Sequence, residues 1–351
     1  MPGEEINSFI KVWLLVLTSL CYSHAIAKTV PKGTKRLAVL LPVVCLFLLL
    51  PLQLNSPHLG GLTAFFIAWL ANFKLLLFAL DRGPLNTHLS LPLFIALACL
   101  PIKIRQNPSS KTHLNKGISS SSSMTVNYAV KGLLLGIIVW AYDYIDYMHP
   151  YVVKLLYCLH IYFFLEIVLA VGAAVVRSFS GLELEPQFNE PFLSTSLQDF
   201  WGRRWNLMVT SILRPTVYEP TLRFSSGVIG RKWAPLPSVF STFLVSGVMH
   251  ELMFYYLGRM SPTGEMTLFF LIHGFCLAVE IGLKKALRGW WQPPWVVTGP
   301  LTVGFVLGTG FWLFIPQFSR CKADARAFEE YAELGAWLKE CLGFCWKSKR
   351  S

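Results

Sequence analysis

The sequence predicts an all-α protein, a polytopic transmembrane helical bundle with eight or nine membrane segments. Of its 351 residues, 54% are hydrophobic and only 14% charged, a balance outside the usual range of soluble domains. Mean hydropathy is +0.51. Apolar runs also recur at a length near 20 residues, enough to cross a hydrocarbon core of roughly 30 Å as helix. Helices are the expected form, because lipid cannot satisfy bare backbone groups.

The runs lie at about 9–27, 37–54, 61–80, 91–104, 127–148, 151–176, 234–257, 265–283 and 295–316. Glu4 and Glu5 precede the first where a signal peptide would be basic, so this run reads as a retained anchor. Lys28, Lys32, Lys35 and Arg36 crowd the loop after it. The positive-inside rule puts that loop in the cytosol and the N-terminus in the lumen. The run at 91–104, bounded by Pro92 and Pro101, is short for a span and reads as re-entrant or interfacial. If it crossed fully, Arg105, Lys111 and Lys116 would fall on the lumenal side.

Composition suggests four regions: an N-terminal anchor bundle over 1–104, a Ser-rich flexible linker over 105–124, a functional membrane domain over 125–320 and an amphipathic basic tail over 321–351. Residues 206–218 are apolar but too short to span, and Arg214-Pro215 interrupts them, so they read as a short re-entrant or interfacial helix. The region 177–233 is then cytosolic or interfacial. Parity makes the tail lumenal, where its basic end is unexpected, which suggests a count off by one in the C-terminal half.

The net charge of +12 sits in loops between apolar runs, so it speaks for membrane orientation and anionic headgroups rather than nucleic acid. Eight cysteines show no C-x-x-C or paired-finger spacing, which gives neither a zinc site nor a disulfide framework. Cys45 and Cys99, within apolar runs, read as small hydrophobes, and Cys341 and Cys345 as lipidation candidates.

Polar residues inside apolar runs carry the functional signal. His250 is an ionisable side chain within a span, a functional candidate by default; a neutral histidine bonded to a neighbouring helix is the equal alternative. Ser246 and Gly247, on the same helical face, are small and predict space beside the imidazole. Glu251 follows, but the second ligand of H-E-x-x-H would be residue 254, which is Phe254, so zinc is rejected on spacing.

The run Gln198-Asp199-Phe200-Trp201-Gly202-Arg203-Arg204-Trp205-Asn206 packs charged, polar and aromatic residues together. Arg203 and Arg204 suit a phosphate-bearing carrier, and the tryptophans suit stacking. On composition alone, a positive-inside anchor with interfacial tryptophans ranks higher. Lys74, near the end of its run, is expected to snorkel. His160, Glu166, His273 and Glu280 rank as structural or channel-lining, the first two being wrongly spaced for a dyad.

Together, the run Ser196–Asn206, His250 in its Val-Met-His-Glu setting, Trp69-Leu70-Ala71-Asn72-Phe73-Lys74 and Leu184-Glu185-Pro186-Gln187-Phe188 resemble the membrane-bound O-acyltransferase superfamily, most closely the plant wax synthase branch. The resemblance covers nearly the whole chain. It implies a multi-pass helical protein of the endoplasmic reticulum with an intramembrane reaction chamber. It implies transfer of a fatty acyl group from acyl-CoA to a lipophilic alcohol: a long-chain alcohol or a sterol, with diacylglycerol as an alternative acceptor.

The implied catalytic residues are His250, as general base, and Asn206, which would position His250 or donate to the oxyanion. Gln198, Asp199, Phe200, Trp201, Arg203, Arg204 and Trp205 are the implied substrate-binding residues. Arg203 and Arg204 depart from neutral-lipid relatives, which carry an acidic and an aromatic residue there. No cofactor or metal is implied; acyl-CoA is a co-substrate, the alcohol and membrane lipid are further partners, and a homo-oligomer is compatible. The competing class, a lipid transporter, would predict internal repeats, and the sequence displays none.

Overall fold

The computed structural model describes residues 2–102, 117–181, 184–287 and 294–348. Among these residues there is no β-sheet, and eight helices are long and apolar enough to cross a membrane. In chain order the spans are Gly3–Ile26, Thr34–Gln53, Pro57–Ala79, Val126–Tyr147, Pro150–Ser178, Pro235–Gly258, Glu265–Ala286 and Trp295–Arg320.

The segment at 91–104 is not among the spans. Its helix, Leu91–Cys99, has nine residues, about 14 Å at 1.5 Å per residue and less than half the hydrocarbon thickness. It is nevertheless packed inside the N-terminal bundle: Phe94, Leu97 and Cys99 are buried with Val16, Leu20, Phe47 and Phe78. Lys74 explains how its end is tolerated. The expectation that Lys74 snorkels is wrong, because its side chain is fully buried. Its Nζ donates to the carbonyls of Leu97 at 2.6 Å and Leu100 at 2.7 Å, capping the C-terminal end of the short helix, where the carbonyl of Leu100 also accepts from the amide of Ile102.

Two faces of the bundle can be traced from the loops. On one, Lys32 pairs with Asp81 at 2.6 Å, and the amide of Gly33 donates to the carbonyl of Ala79. Gly33 has φ +106°, open to glycine and strained for most L-residues. On the opposite face, Arg259 donates to the carbonyls of Pro51 and Leu54, and Arg326 donates to the carbonyl of Asn55. The C-terminal helix Ala323–Ser348 therefore docks on the face opposite the basic first loop. His58 bonds Glu330 there, and His160 links Tyr142 at 3.1 Å to Tyr331 at 2.9 Å. Eight candidate spans among the described residues place the two ends of the chain on the same face, as this docking does.

Residues 105–116 of the expected linker lie outside the described residues. Residues 117–124 do not form a loop: the helix Gly117–Ala141 already includes the serine run. Serine is only modestly unfavourable in a helix, so its repetition alone does not break one.

The sixth and seventh spans pack most closely. A Cβ at Gly247 would lie 2.8 Å from Thr267 Cα, and one at Gly274 would lie 2.9 Å from Phe243 Cβ. Gly247 thus brings two backbones together. The space predicted beside His250 on that face is occupied by the seventh span.

Candidate active site

The motif at 198–206 is folded into the bundle along the seventh span and is not a surface loop. Ser196 caps its first turn by accepting from the amide of Asp199. Glu280 accepts from the amides of Leu197 at 2.8 Å and Gln198 at 3.4 Å, placing a carboxylate where a helix start has free donors. Seven residues towards the opposite face, His273 Nδ1 accepts from Trp201 Nε1 at 3.1 Å. The motif therefore follows the seventh span inwards for about 10 Å.

That bond fixes the state of His273. Its Nδ1 is an acceptor, so in the neutral ring Nε2 carries the proton. Nε2–H then donates to Thr309 Oγ1 at 2.9 Å, and Thr309 donates on to the carbonyl of Phe305. His273 is a satisfied tether between motif and eighth span. Glu280 and His273, ranked as structural from their spacing, are the two posts that hold the motif.

Within the motif, Phe200–Arg204 forms a π-helical turn closed by the amide of Trp205 on the carbonyl of Phe200. Trp205 stacks on Phe200 at 5.5 Å and packs on Phe188 and Tyr162. Asp199 Oδ2 takes Arg204 Nε at 2.7 Å, while Arg204 Nη1 donates to the carbonyls of Asn189 and Glu190. Arg204 thus closes the motif on its preceding loop rather than projecting towards a carrier. Arg203 and Gln198 are exposed, and Phe200 is buried.

Asn206 takes the left-handed conformation, φ +39°, which asparagine tolerates better than most residues. Its Oδ1 accepts from the amide of Val209 and caps the helix Leu207–Leu213. The structure thus places Asn206 as a helix cap, bonded to Val209 and not to His250. Met208 and Ile212 of that helix are buried against Leu70 of the third span, as expected of a re-entrant element.

His250 lies in the middle of an aromatic enclosure built by three other spans or their extensions. Trp69 meets it edge-to-face at 4.9 Å, Phe270 lies at 4.3 Å and Phe314 at 5.9 Å between ring centroids. Its Nδ1 is 2.8 Å from the carbonyl of Ser246. A carbonyl only accepts, so Nδ1 carries the proton and the lone pair of the neutral ring is on Nε2. The neighbouring Glu251 accepts from the amide of Thr267 at 3.2 Å, capping the start of the seventh span. No group of three or more His, Cys, Asp or Glu suited to a metal occurs among the described residues.

Among the other intramembrane polar residues, Glu166 pairs with Lys131 and His160 with two tyrosines, so those two form no dyad. Trp69, Phe270 and Phe314 escaped sequence reasoning, because aromatic residues in apolar runs carry no mark of what they face.

Residues 184–272 match the model of the membrane bound O-acyl transferase family. That interval contains the motif and His250, and ends one residue before His273. Over 337 residues the chain is 54% identical to acyl-CoA–sterol O-acyltransferase 1 of Arabidopsis thaliana, covering 95% of this chain and 96% of the relative. It is 46% identical over 331 residues to the long-chain-alcohol O-fatty-acyltransferase of Simmondsia chinensis, covering 93% and 94%. A probable long-chain-alcohol O-fatty-acyltransferase 1 of Arabidopsis thaliana is 45% identical over 329 residues, covering 93% and 95%.

Proposed function

The chain belongs to the membrane bound O-acyl transferase family, and from that premise we propose that it transfers a fatty acyl group from acyl-CoA to the hydroxyl of a lipophilic alcohol, with His250 as general base. The observation that carries the assignment is the state of His250. Donation of Nδ1–H to Ser246 leaves Nε2 unprotonated, as proton abstraction requires.

The alcohol oxygen attacks the thioester carbonyl while Nε2 takes the hydroxyl proton. Collapse of the tetrahedral intermediate breaks the C–S bond, and the imidazolium returns the proton to the departing thiolate. The products are an ester and free CoA. The rings of Trp69, Phe270 and Phe314 give the half-buried His250 an apolar surround, which disfavours the water that would compete with the alcohol. Arg203, exposed on the motif, is the cation available to the CoA phosphates. Arg204 and Asp199 hold the motif's shape.

Sterol is the acceptor we favour, on the 54% identity to a sterol acyltransferase. Long-chain alcohol is the second reading, supported by relatives at 46% and 45% identity that carry that name. The proposed location is the endoplasmic reticulum. Purified protein in detergent, given labelled acyl-CoA and either sitosterol or hexadecanol, tests both acceptors. Steryl ester is the expected main product. His250→Ala should lower turnover by about 10²–10⁴-fold with an unchanged melting curve; full ester synthesis by that variant would remove the general-base role.

A further inference from the structure

Trp69 is 3% exposed, yet its indole Nε1 has no hydrogen-bond partner. Leaving a buried N–H unpaired costs roughly 1–3 kcal/mol, so native proteins leave few of them. The position is not a generic core site. The indole meets the His250 ring edge-to-face, at 4.9 Å and an interplanar angle of 86°. The residue also sits within Phe65–Ala71, a π-helical segment inserted in the otherwise α-helical third span. Such segments are rare and concentrate at functional sites, because the widened turn moves side chains off the regular α register.

His250 itself does not use this donor. Its Nδ1 bonds the Ser246 carbonyl, and the indole nitrogen makes no hydrogen bond to Nε2. A contact to the imidazole face would recover only a small part of a full hydrogen bond. A strong donor is therefore buried without an acceptor of its own, on a ring that packs directly against His250.

We propose that Trp69 Nε1–H donates to the thioester carbonyl oxygen of the acyl donor and stabilises the oxyanion that forms when the alcohol attacks. The inference rests on the reading of His250 as general base. The two groups divide the work: His250 Nε2 takes the proton from the nucleophile, and Trp69 meets the charge on the electrophile. A thioester carbonyl is a weaker acceptor than an oxyanion, so the bond strengthens in the transition state. The contribution therefore appears in kcat rather than in KM.

The test compares Trp69→Phe with replacement of Trp69 by benzothienylalanine, an indole isostere in which sulfur takes the place of N–H. Thermal unfolding is recorded for both, and His250→Gln is run alongside. The isostere keeps shape and packing and removes the unpaired N–H, so its melting temperature should equal or exceed that of the unmodified protein. Its kcat should fall on the order of 10²-fold, as when one oxyanion donor is removed, with KM for acyl-CoA unchanged. Trp69→Phe should show the same loss per folded molecule.

An isostere with unaltered kcat, in a protein that His250→Gln inactivates, overturns the proposal and leaves the general-base reading standing. A loss confined to KM also overturns it. Full activity in His250→Gln instead removes the general-base reading on which the proposal stands.

Discussion

Substituting Gly247 by alanine tests whether the site depends on the close contact of the sixth and seventh spans. The added Cβ would lie 2.8 Å from Thr267 Cα and 3.4 Å from the Cβ atoms of Thr267 and Phe270. Ordinary carbon contacts lie at about 3.5–4.0 Å, so the spans must separate by about 1 Å. Thr267 Cα is backbone and cannot rotate away. The expected destabilisation is about 1–3 kcal/mol, typical of overpacking.

The functional effect should be larger in proportion. His250 is on the sixth span, and Phe270, whose ring lies 4.3 Å from it, is on the seventh. A displacement of about 1 Å in catalytic geometry costs on the order of 10²-fold in rate. Steryl ester synthesis per folded molecule is the measurement, with melting recorded in the same detergent. Gly136→Ala, where the Cβ meets open space, is the control and should be neutral. Wild-type turnover and melting in Gly247→Ala would refute the reasoning.

Two further perturbations address how the bundle is held together. Lys74→Met removes the donor to the carbonyls of Leu97 and Leu100; Leu100 keeps the amide of Ile102, while the loss at Leu97 costs about 1–3 kcal/mol, offset in part because an ammonium is no longer buried. Thermal unfolding should show a net loss of stability, and a variant as stable as the parent would show that the cap contributes nothing. At the opposite face, burial raises the pKa of Glu330, but hydrogen bonds from His58 and Ser56, with the charge of His58, outweigh it and leave the carboxyl below its ordinary value of 4.5. Because the folded value is the lower one, this contribution is complete above the ordinary carboxylate value and is lost as pH falls through the depressed one. Proteolysis within the tail helix should accelerate over that acidic window, and Glu330→Gln should abolish the acid dependence; a variant with the parent's pH profile would exclude this latch.

Span positions were legible because each depends on a local quantity, the length of an apolar run. The run at 91–104 read as re-entrant or interfacial from its short length and from the charges that follow it, and the helix there has only nine residues, too few to cross. Pairings were not legible. Trp201 meets His273 across 72 residues, and Leu197 meets Glu280 across 83. Nothing in the intervening sequence states that separation. The motif's polarity therefore read as a surface property, which holds for the exposed Gln198 and Arg203 side chains, whereas Trp201 is satisfied inside the bundle by His273 and Arg204 by Asp199. Lys74 misled in the same way: a lysine near a span end normally reaches water, and only the carbonyls of a second, non-spanning helix gave it buried partners. Gly247 was read as room for substrate because a missing side chain looks the same in sequence whether a ligand or a helix fills its place.

The π-helical segments show where local causes end and tertiary ones begin. Four occur among the described residues, at Phe65–Ala71, Phe200–Arg204, Arg214–Tyr218 and Gly310–Phe314. Pro215 lies within the third, and Pro316 follows the fourth by two residues. A proline lacks the N–H of the regular ladder and crowds the preceding turn, so a locally widened helix is an accommodation in both cases. Gly202 lowers the barrier to irregular backbone in the second. Phe65–Ala71 contains neither proline nor glycine. Its register must therefore be held from outside, by the burial of Ile67, Ala68, Leu70 and Ala71 and the contact of Trp69 with His250. A span that departs from α geometry without a local cause, and then leaves a buried indole N–H unpaired at the histidine, accepts two costs at one residue. Both are accounted for if that donor acquires its acceptor only when the substrate is bound.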